Sequence, residues 1–172
     1  SRSPFSSFIL TKNEAKTIGA CLIPLMRLCD EVIVVDTGNT DATNEIAKTH
    51  GATILSLRWD GYAATKNNAA TFAKNNWILS IDADEVIQTS LQKSIAAAFA
   101  ISPNTETVFQ LQRKMVIGHT TLHFGSVYKE FRARIYHRDF AHWNNFIVHE
   151  ALVYRSKPKL FSLTGFLLHY SY

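Results

Sequence analysis

Trp77-Ile78-Leu79-Ser80-Ile81-Asp82-Ala83-Asp84-Glu85 is the stretch on which the fold turns. A short run with strand character, Trp77 to Ile81, leads straight into two carboxylates two positions apart. Such an unbroken run, bounded by polar turn residues, suits a strand covered on both faces. Three more strands precede it: Phe8-Ile9-Leu10, Val32-Ile33-Val34-Val35 and Ala52 to Leu57. Helical patterns lie between and after them. Thr11-Lys12-Asn13-Glu14 has the form of a capping box, and Ile18, Cys21, Leu22 and Leu25 follow at helical spacing, with Pro24 expected to bend or shorten that helix. Asp41 to His50 predicts a helix stopped by Gly51. Ala63 to Asn75 predicts another, and Ser90 to Ala100 a fourth, capped by Thr89 or Ser90. Alternating strands and helices imply a mainly parallel sheet with helices on both faces. Ligands of such sheets bind beyond the carboxyl ends of the strands. The polar turns Thr11–Glu14, Asp36–Asp41 and Asp82–Glu85 all fall there.

From Thr107 the texture changes. Val108 to Ile117, Ala133 to Tyr136, Ile147 to Tyr154 and Leu160 to His169 are strand-like and rich in aromatics, and Pro103 and Asn104 mark the seam. The expectation is a single domain over 1–172, with residues 1–106 as one half and an antiparallel-rich 107–172 sharing the same core. Charge divides at the same place. Residues 1–106 hold nine Lys/Arg against eleven Asp/Glu, and residues 107–172 nine against three. The second half therefore suits an anionic partner such as phosphate, an acidic glycan or a lipid headgroup. Nucleic acid competes for the same charge, but no aromatic-interleaved basic motif supports it. No apolar run approaches the roughly 20 residues of a membrane-spanning helix, and Ser1 to Ser7 does not read as a signal peptide. Cys21 and Cys29 lack metal-ligand spacing and read as buried thiols of a reducing compartment.

Each polar cluster has a chemical and a plainer reading. Asp82 and Asp84 can face one hard cation, Mg²⁺ or Mn²⁺, sharing it with water or a diphosphate; the plainer reading is a solvated helix cap. Asp36, ending a buried strand, is costly unless paired or bound. It can accept from a nucleobase N–H, while Gly38 permits close backbone approach and Thr40 and Asp41 cap the next helix. Lys66, near a helix start, can reach a phosphate; exposure to solvent is the ordinary fate of a lysine. Glu150 can act as general base, with His149 orienting it, binding diphosphate or ligating metal; a salt bridge from Glu150 to Arg132 or Arg134 is the alternative. His169 is either a metal or phosphate contact or a core histidine.

Taken in order, Leu10–Glu14, Val34–Thr43, Trp59–Tyr62, Lys66-Asn67, Leu79–Glu85, Val148-His149-Glu150 and His169–Tyr172 resemble glycosyltransferase family 2. They look most like its lipopolysaccharide-core β-1,4-glucosyltransferase-like group. The resemblance implies a GT-A α/β fold and an inverting, metal-dependent transfer from a UDP-sugar, with glucose as the expected sugar. The acceptor would be a surface glycan or lipopolysaccharide core. It implies that Thr11, Asn13 and Glu14 surround the nucleoside, that Asp36 contacts the base, and that Gly38 and Ala83 lie along the donor. Lys66 stands where the family usually has an arginine near the diphosphate, and Asn39 where serine is common. Asp82 and Asp84 become the metal-binding pair, with His169 a further candidate ligand. Arg134 and His149 fall to the acceptor or phosphate side, and Glu150 and Asp84 to catalysis. Relatives of this kind continue past His169 into basic, membrane-associating helices. A chain truncated there, cytoplasmic and in peripheral contact with the inner membrane face, is the matching expectation.

Two other functions fit parts of the pattern. A catalytically silent nucleotide-sugar or glycan-binding module would bind UDP without turnover. A sugar-phosphate nucleotidyltransferase would need a glycine-rich N-terminal loop, and Phe8 to Glu14 contains no glycine.

Overall fold

The computed structural model describes residues 2–117, 120–121, 130–145 and 150–171. The chain runs β1 (Ser3–Thr11), α1 (Ile18–Leu28), β2 (Cys29–Asp36), α2 (Thr43–Thr49), β3 (Thr53–Ser56), α3 (Tyr62–Thr71), β4 (Trp77–Ser80), β5 (Glu85–Ile87) and α4 (Thr89–Phe99). β6 (Thr107–Ile117), β7 (Thr120–Thr121), β8 (Glu130–His137), β9 (Ala141–Asn145), β10 (Glu150–Tyr154) and β11 (Lys159–Ser171) follow. One sheet in the order β3-β2-β1-β4-β8-β6-β11-β5 joins both halves, and β9 and β10 form a separate hairpin.

Alternation along the strands creates two cores. Phe5 and Ile9 of β1 and Val32 and Val34 of β2 face α1, α2 and α4. Phe8, Ile33 and Val35 face the other way, toward α3 and the β9–β10 hairpin. β3, β2, β1 and β4 pair in parallel, as the strand–helix alternation predicts. β8 then enters antiparallel between β4 and β6. The second half is less antiparallel than expected, because β6 and β11 run parallel from Thr107–Lys159 to Ile117–Ser171.

Several local expectations give way to tertiary contacts. Thr11 does not cap α1: it ends β1, and its hydroxyl donates to the Val35 carbonyl at 2.7 Å. The turn into α1 is made by Glu14, whose carbonyl accepts from Thr17 N and Ile18 N. Pro24 does not shorten α1, which continues to Leu28 with Pro24, Leu25 and Leu28 all buried. Neither Thr89 nor Ser90 caps α4; Gln88 holds that position without a side-chain bond. α3 stops at Thr71 rather than Asn75. Arg138 takes the Ala70 and Ala73 carbonyls at 2.9 and 2.7 Å, satisfying acceptors that a longer helix would use itself. Of the strand expected over 147–154, residues 147–149 lie outside the described residues. No helix among the described residues is long and apolar enough to cross a membrane.

Candidate functional site

The parallel strands deliver their polar turns to one edge. Thr11 pairs with Asp36 and Asp36 with Ser56, and β4 ends beside them at Ser80, just before Asp82.

The first two turns are stapled together by asparagines. Asn13 adopts φ 58°, a left-handed conformation that asparagine tolerates. Its Oδ1 accepts from Thr40 N and Asp41 N at 2.7 and 3.2 Å, and its own N–H donates to Asn39 Oδ1 at 2.7 Å. Asn39 also donates to Thr11 Oγ1 at 2.7 Å. Asp36 accepts from the Asn39 and Gly38 amides at 2.6 and 2.8 Å and from the Asn44 side chain at 2.8 Å. These bonds, the Asn39 amide foremost, hold its carboxyl below the usual range. The close approach at Gly38, which has φ +127°, is made by Lys12: its Nζ donates to the Gly38 carbonyl at 2.7 Å. Neither Thr40 nor Asp41 is the N-cap of α2, a position held by Ala42 without a side-chain bond, although Asp41 accepts from Thr43 N at 3.0 Å.

The third turn brings carboxylates together. Burial raises the pKa of Glu14, and the charges of Asp84, Asp41 and Asp82 raise it further. Half of the Asp82 side chain reaches solvent, yet it sits in a recess crowded by protein. That desolvation, then the Glu85 charge, pushes its pKa up, while Arg134 and Lys66 oppose the shift. Asp84 accepts from His169 Nε2 at 2.8 Å, and its carbonyl accepts from Tyr170 N at 2.9 Å. A carboxylate offers only lone pairs, so Nε2 carries the hydrogen. The other ring nitrogen, Nδ1, is buried without a hydrogen-bond partner. Among the described residues, no three His, Cys, Asp or Glu side chains form a complete cage for a metal. The carboxylate oxygens of Asp82 and Asp84, which His169 can join only once Nε2 gives up its hydrogen, nevertheless suit a hard divalent ion that takes its remaining ligands from a diphosphate and water. The residues present thus fit Mn²⁺ or Mg²⁺.

Sequence reasoning missed the residue that organises this turn. Glu85 belongs not to a solvated loop but to β5, and it is 0% exposed. Arg134 grips it through Nη1–Oε1 and Nη2–Oε2 at 2.7 and 3.0 Å, Arg113 Nε donates to Oε2 at 2.8 Å, and the Asp82 amide donates to Oε1 at 2.8 Å. Burial works against this carboxylate, but the arginines and the amide outweigh it and its pKa is lowered. Arg134 also donates to the Ser80 carbonyl at 3.1 Å and stands 3.6 Å from Asp82. Arg134 pairs with Glu85 and Arg132 with Glu130; the side chain of Glu150, the other expected partner of these arginines, lies outside what the structure describes. A third carboxylate directly after Asp-x-Asp, followed by Val86-Ile87, was the available signal.

Lys66 is also not where expected. It lies inside α3 rather than at its start and is 6% exposed, with Nζ 4.0 Å from the Trp143 ring centroid. Lys66, Asp82, Arg134, Trp143, Leu152 and Tyr154 line a recess of about 580 Å³ between the sheet edge and the hairpin. Glu150 opens β10 opposite Asn145, so the hairpin that walls this recess carries it. Ala83 is buried beneath the turn, and Cys21 Sγ lies 3.6 Å from the Asp82 carbonyl. His149 lies outside the described residues. The structure therefore brings Glu14, Asp82, Asp84 and His169 together, with Lys66 and Arg134 on the recess side, and sets Thr11, Asn13, Asp36 and Gly38 in the adjoining turns.

Comparison with known proteins bears on this arrangement. The family described as "Glycosyl transferase family 2" matches residues 6–161. An uncharacterized glycosyltransferase of Rickettsia bellii (strain RML369-C) is 36% identical over 175 residues, covering 96% of this chain and 59% of its own length. Lipopolysaccharide core biosynthesis glycosyltransferase LpsC of Rhizobium meliloti (strain 1021) is 31% identical over 121 residues, covering 67% of this chain and 44% of that protein. Among solved structures, S. aureus TarS 1–349 matches with a TM-score of 0.57 at 24% identity, over 78% of this chain and 47% of that one. Glucosyl-3-phosphoglycerate synthase from Mycobacterium tuberculosis, in complex with Mn²⁺, UDP and phosphoglyceric acid, matches with a TM-score of 0.51 at 19% identity, over 67% and 44% of the two chains. The chain thus spans less than two thirds of the length of these relatives.

Proposed function

The chain belongs to glycosyl transferase family 2 and has the GT-A α/β fold, and from that premise we propose that it forms the donor site and part of the acceptor site of an inverting, metal-dependent sugar transferase. The observation that carries the reading is the meeting of Glu14, Asp82 and Asp84 at the carboxyl edge of the parallel strands, where the charges of Asp84 and Asp82 make ionising Glu14 costlier and the charge of Asp84 does the same to Asp82. A divalent cation relieves such repulsion, and a nucleoside diphosphate completes its shell.

In this reading the donor is a UDP-sugar, with glucose as the expected sugar. Thr11, Asn13, Glu14, Asp36 and Gly38 surround the nucleoside, and Ala83 packs under the donor. Asp82 and Asp84, with His169, hold Mg²⁺ or Mn²⁺, which when bound offsets the negative charge growing on the departing diphosphate. Lys66 and Arg134 add fixed positive charge on the same side. Glu150, with His149 beside it, takes the proton of the acceptor hydroxyl. The acceptor oxygen bonds to the anomeric carbon on the face opposite the leaving group, the old carbon–oxygen bond breaks, and its electron pair leaves with UDP. That geometry inverts the carbon. A surface glycan or lipopolysaccharide core is the proposed acceptor, supported by the name of the LpsC relative. The mycobacterial fold neighbour, solved with Mn²⁺ and UDP, accords with the donor side.

Asp84→Ala tests this. Calorimetry should show UDP binding that depends on Mn²⁺ in the parent and is lost in the variant, with unchanged circular dichroism. Equal UDP affinity in both proteins would remove the metal assignment.

A further inference from the structure

Arg134 has two acids within reach, and its fork closes on one of them. Nη1 donates to Glu85 Oε1 at 2.7 Å and to the Ser80 carbonyl at 3.1 Å, and Nη2 donates to Glu85 Oε2 at 3.0 Å. The same Nη2 stands 3.6 Å from Asp82 Oδ2, beyond the range of a hydrogen bond. Burial decides which acid takes the fork. The Glu85 side chain is 0% exposed and that of Asp82 50%. A carboxylate sealed in protein is costly without a partner, whereas water can serve an acid at the surface. Glu85 is also fully used. A carboxylate has about four lone-pair positions, and on Glu85 they meet Arg134 twice, Arg113 Nε at 2.8 Å and the Asp82 amide at 2.8 Å. Its own N–H returns to the Asp82 carbonyl at 3.0 Å. Backbone and side chain of Glu85 together fix where the turn begins, which holds Asp82 back from the guanidinium.

We propose that Glu85 is a positioning residue for the metal site: by taking the Arg134 fork it keeps that guanidinium from closing on Asp82, and so leaves the Asp82 carboxylate to a divalent cation. This rests on the reading of Asp82 and Asp84 as metal ligands. The physical case is one of competition for a single carboxylate. Arginine is a strong rival to a metal ion, since it grips a carboxylate through two parallel hydrogen bonds and stays charged at any working pH. An Asp82 held in that way would offer the ion fewer lone pairs and less net charge. With Glu85 in place, Arg134 keeps its charge beside the recess without taking the Asp82 oxygens. Neutralising Glu85 frees the fork, and Asp82 is close enough to receive it.

The test uses the full chain without nucleotide and titrates Mn²⁺ alone, with water-proton relaxation reporting the bound ion. If the parent takes up no Mn²⁺, the metal reading itself falls. Glu85→Gln, close in shape and without charge, should weaken Mn²⁺ binding by about tenfold. Its crystal structure should show Arg134 within hydrogen-bond distance of Asp82. A lost negative charge or a loosened turn would also weaken the ion, so the deciding comparison is made in the Arg134→Met background. There Glu85→Gln should change Mn²⁺ affinity by less than about twofold, because no guanidinium is left to compete. An equal loss in that background, or no loss in the parent, would overturn the proposal, as would a variant crystal with Arg134 still distant from Asp82. Circular dichroism checks that each variant is folded. Should Glu85→Gln not fold, Glu85→Asp takes its place, keeping the charge but withdrawing it by one methylene. It should give a smaller loss that likewise vanishes in Arg134→Met, and a loss that persists there counts against the proposal in the same way.

Discussion

Glu85 shows how much of this site hangs on one side chain. Its carboxylate pairs with two arginines from different strands and accepts the amide that starts the Asp82–Asp84 turn. Removing one member of a buried ionic group leaves its partners uncompensated, which costs more than the group contributes as a whole. Glu85→Ala should therefore destabilise the fold by about 3–5 kcal/mol, measured by urea unfolding at neutral pH. A loss below about 1 kcal/mol would mean that water replaces the carboxylate cheaply. Asp82 and Asp84 were legible as a pair because strand and turn chemistry act over a few positions. Glu85 was not, because a third acid in an acidic turn looks solvated until Arg113 and Arg134 arrive, 28 and 49 residues away. Lys66 was hidden for the same reason: lysines are usually exposed, and the Trp143 ring over which this one lies is brought in from 77 positions along the chain.

At the scale of elements, apolar runs were legible and strands without one were not. β1, β2, β4, β6 and β11 all lie on runs visible in the sequence, whereas β5 starts on the last acid of a polar turn and β9, Ala141–Asn145, carries no apolar run. α3 ends early because Arg138, far along the chain, claims its last carbonyls. Gly165 is the element-level joint with the sharpest consequence. It has φ +94° in β11, within the register shift between Ser162 and Phe166, and a Cβ there would lie 2.7 Å from the Leu91 Cα of α4. Gly165→Ala must strain the backbone and push α4 away from the sheet. The expected loss is at least about 2 kcal/mol, seen as a melting temperature lowered by roughly 4 °C or more in calorimetry. An unchanged melting temperature would show that α4 shifts freely.

At the scale of the molecule, the core that α1 closes against the sheet buries both thiols, and they report on that closure. Cys21 and Cys29 are free and buried, and burial pushes both thiols well above the ordinary range. Only thiolate reacts quickly with disulfide reagents. The native chain should therefore resist Ellman's reagent and release two equivalents of product only on denaturation, at a rate set by unfolding. Prompt labelling of the folded protein would reveal local opening around α1. The single sheet has a further consequence: β8 lies between β4 and β6, so the carboxylate-bearing edge and the basic strands share one rigid frame.

The order of strands and helices, the acidic pair beyond a buried strand, and the likeness to family 2 could all be read from residue order, since periodicity, turn chemistry and ordered motifs are properties of the chain taken in line. The grip of Arg134 and Arg113 on Glu85, the indole under Lys66 and the parallel pairing of β6 with β11 could not. They depend on which strands become neighbours, and that choice is made by burial over the entire sheet rather than within any short stretch.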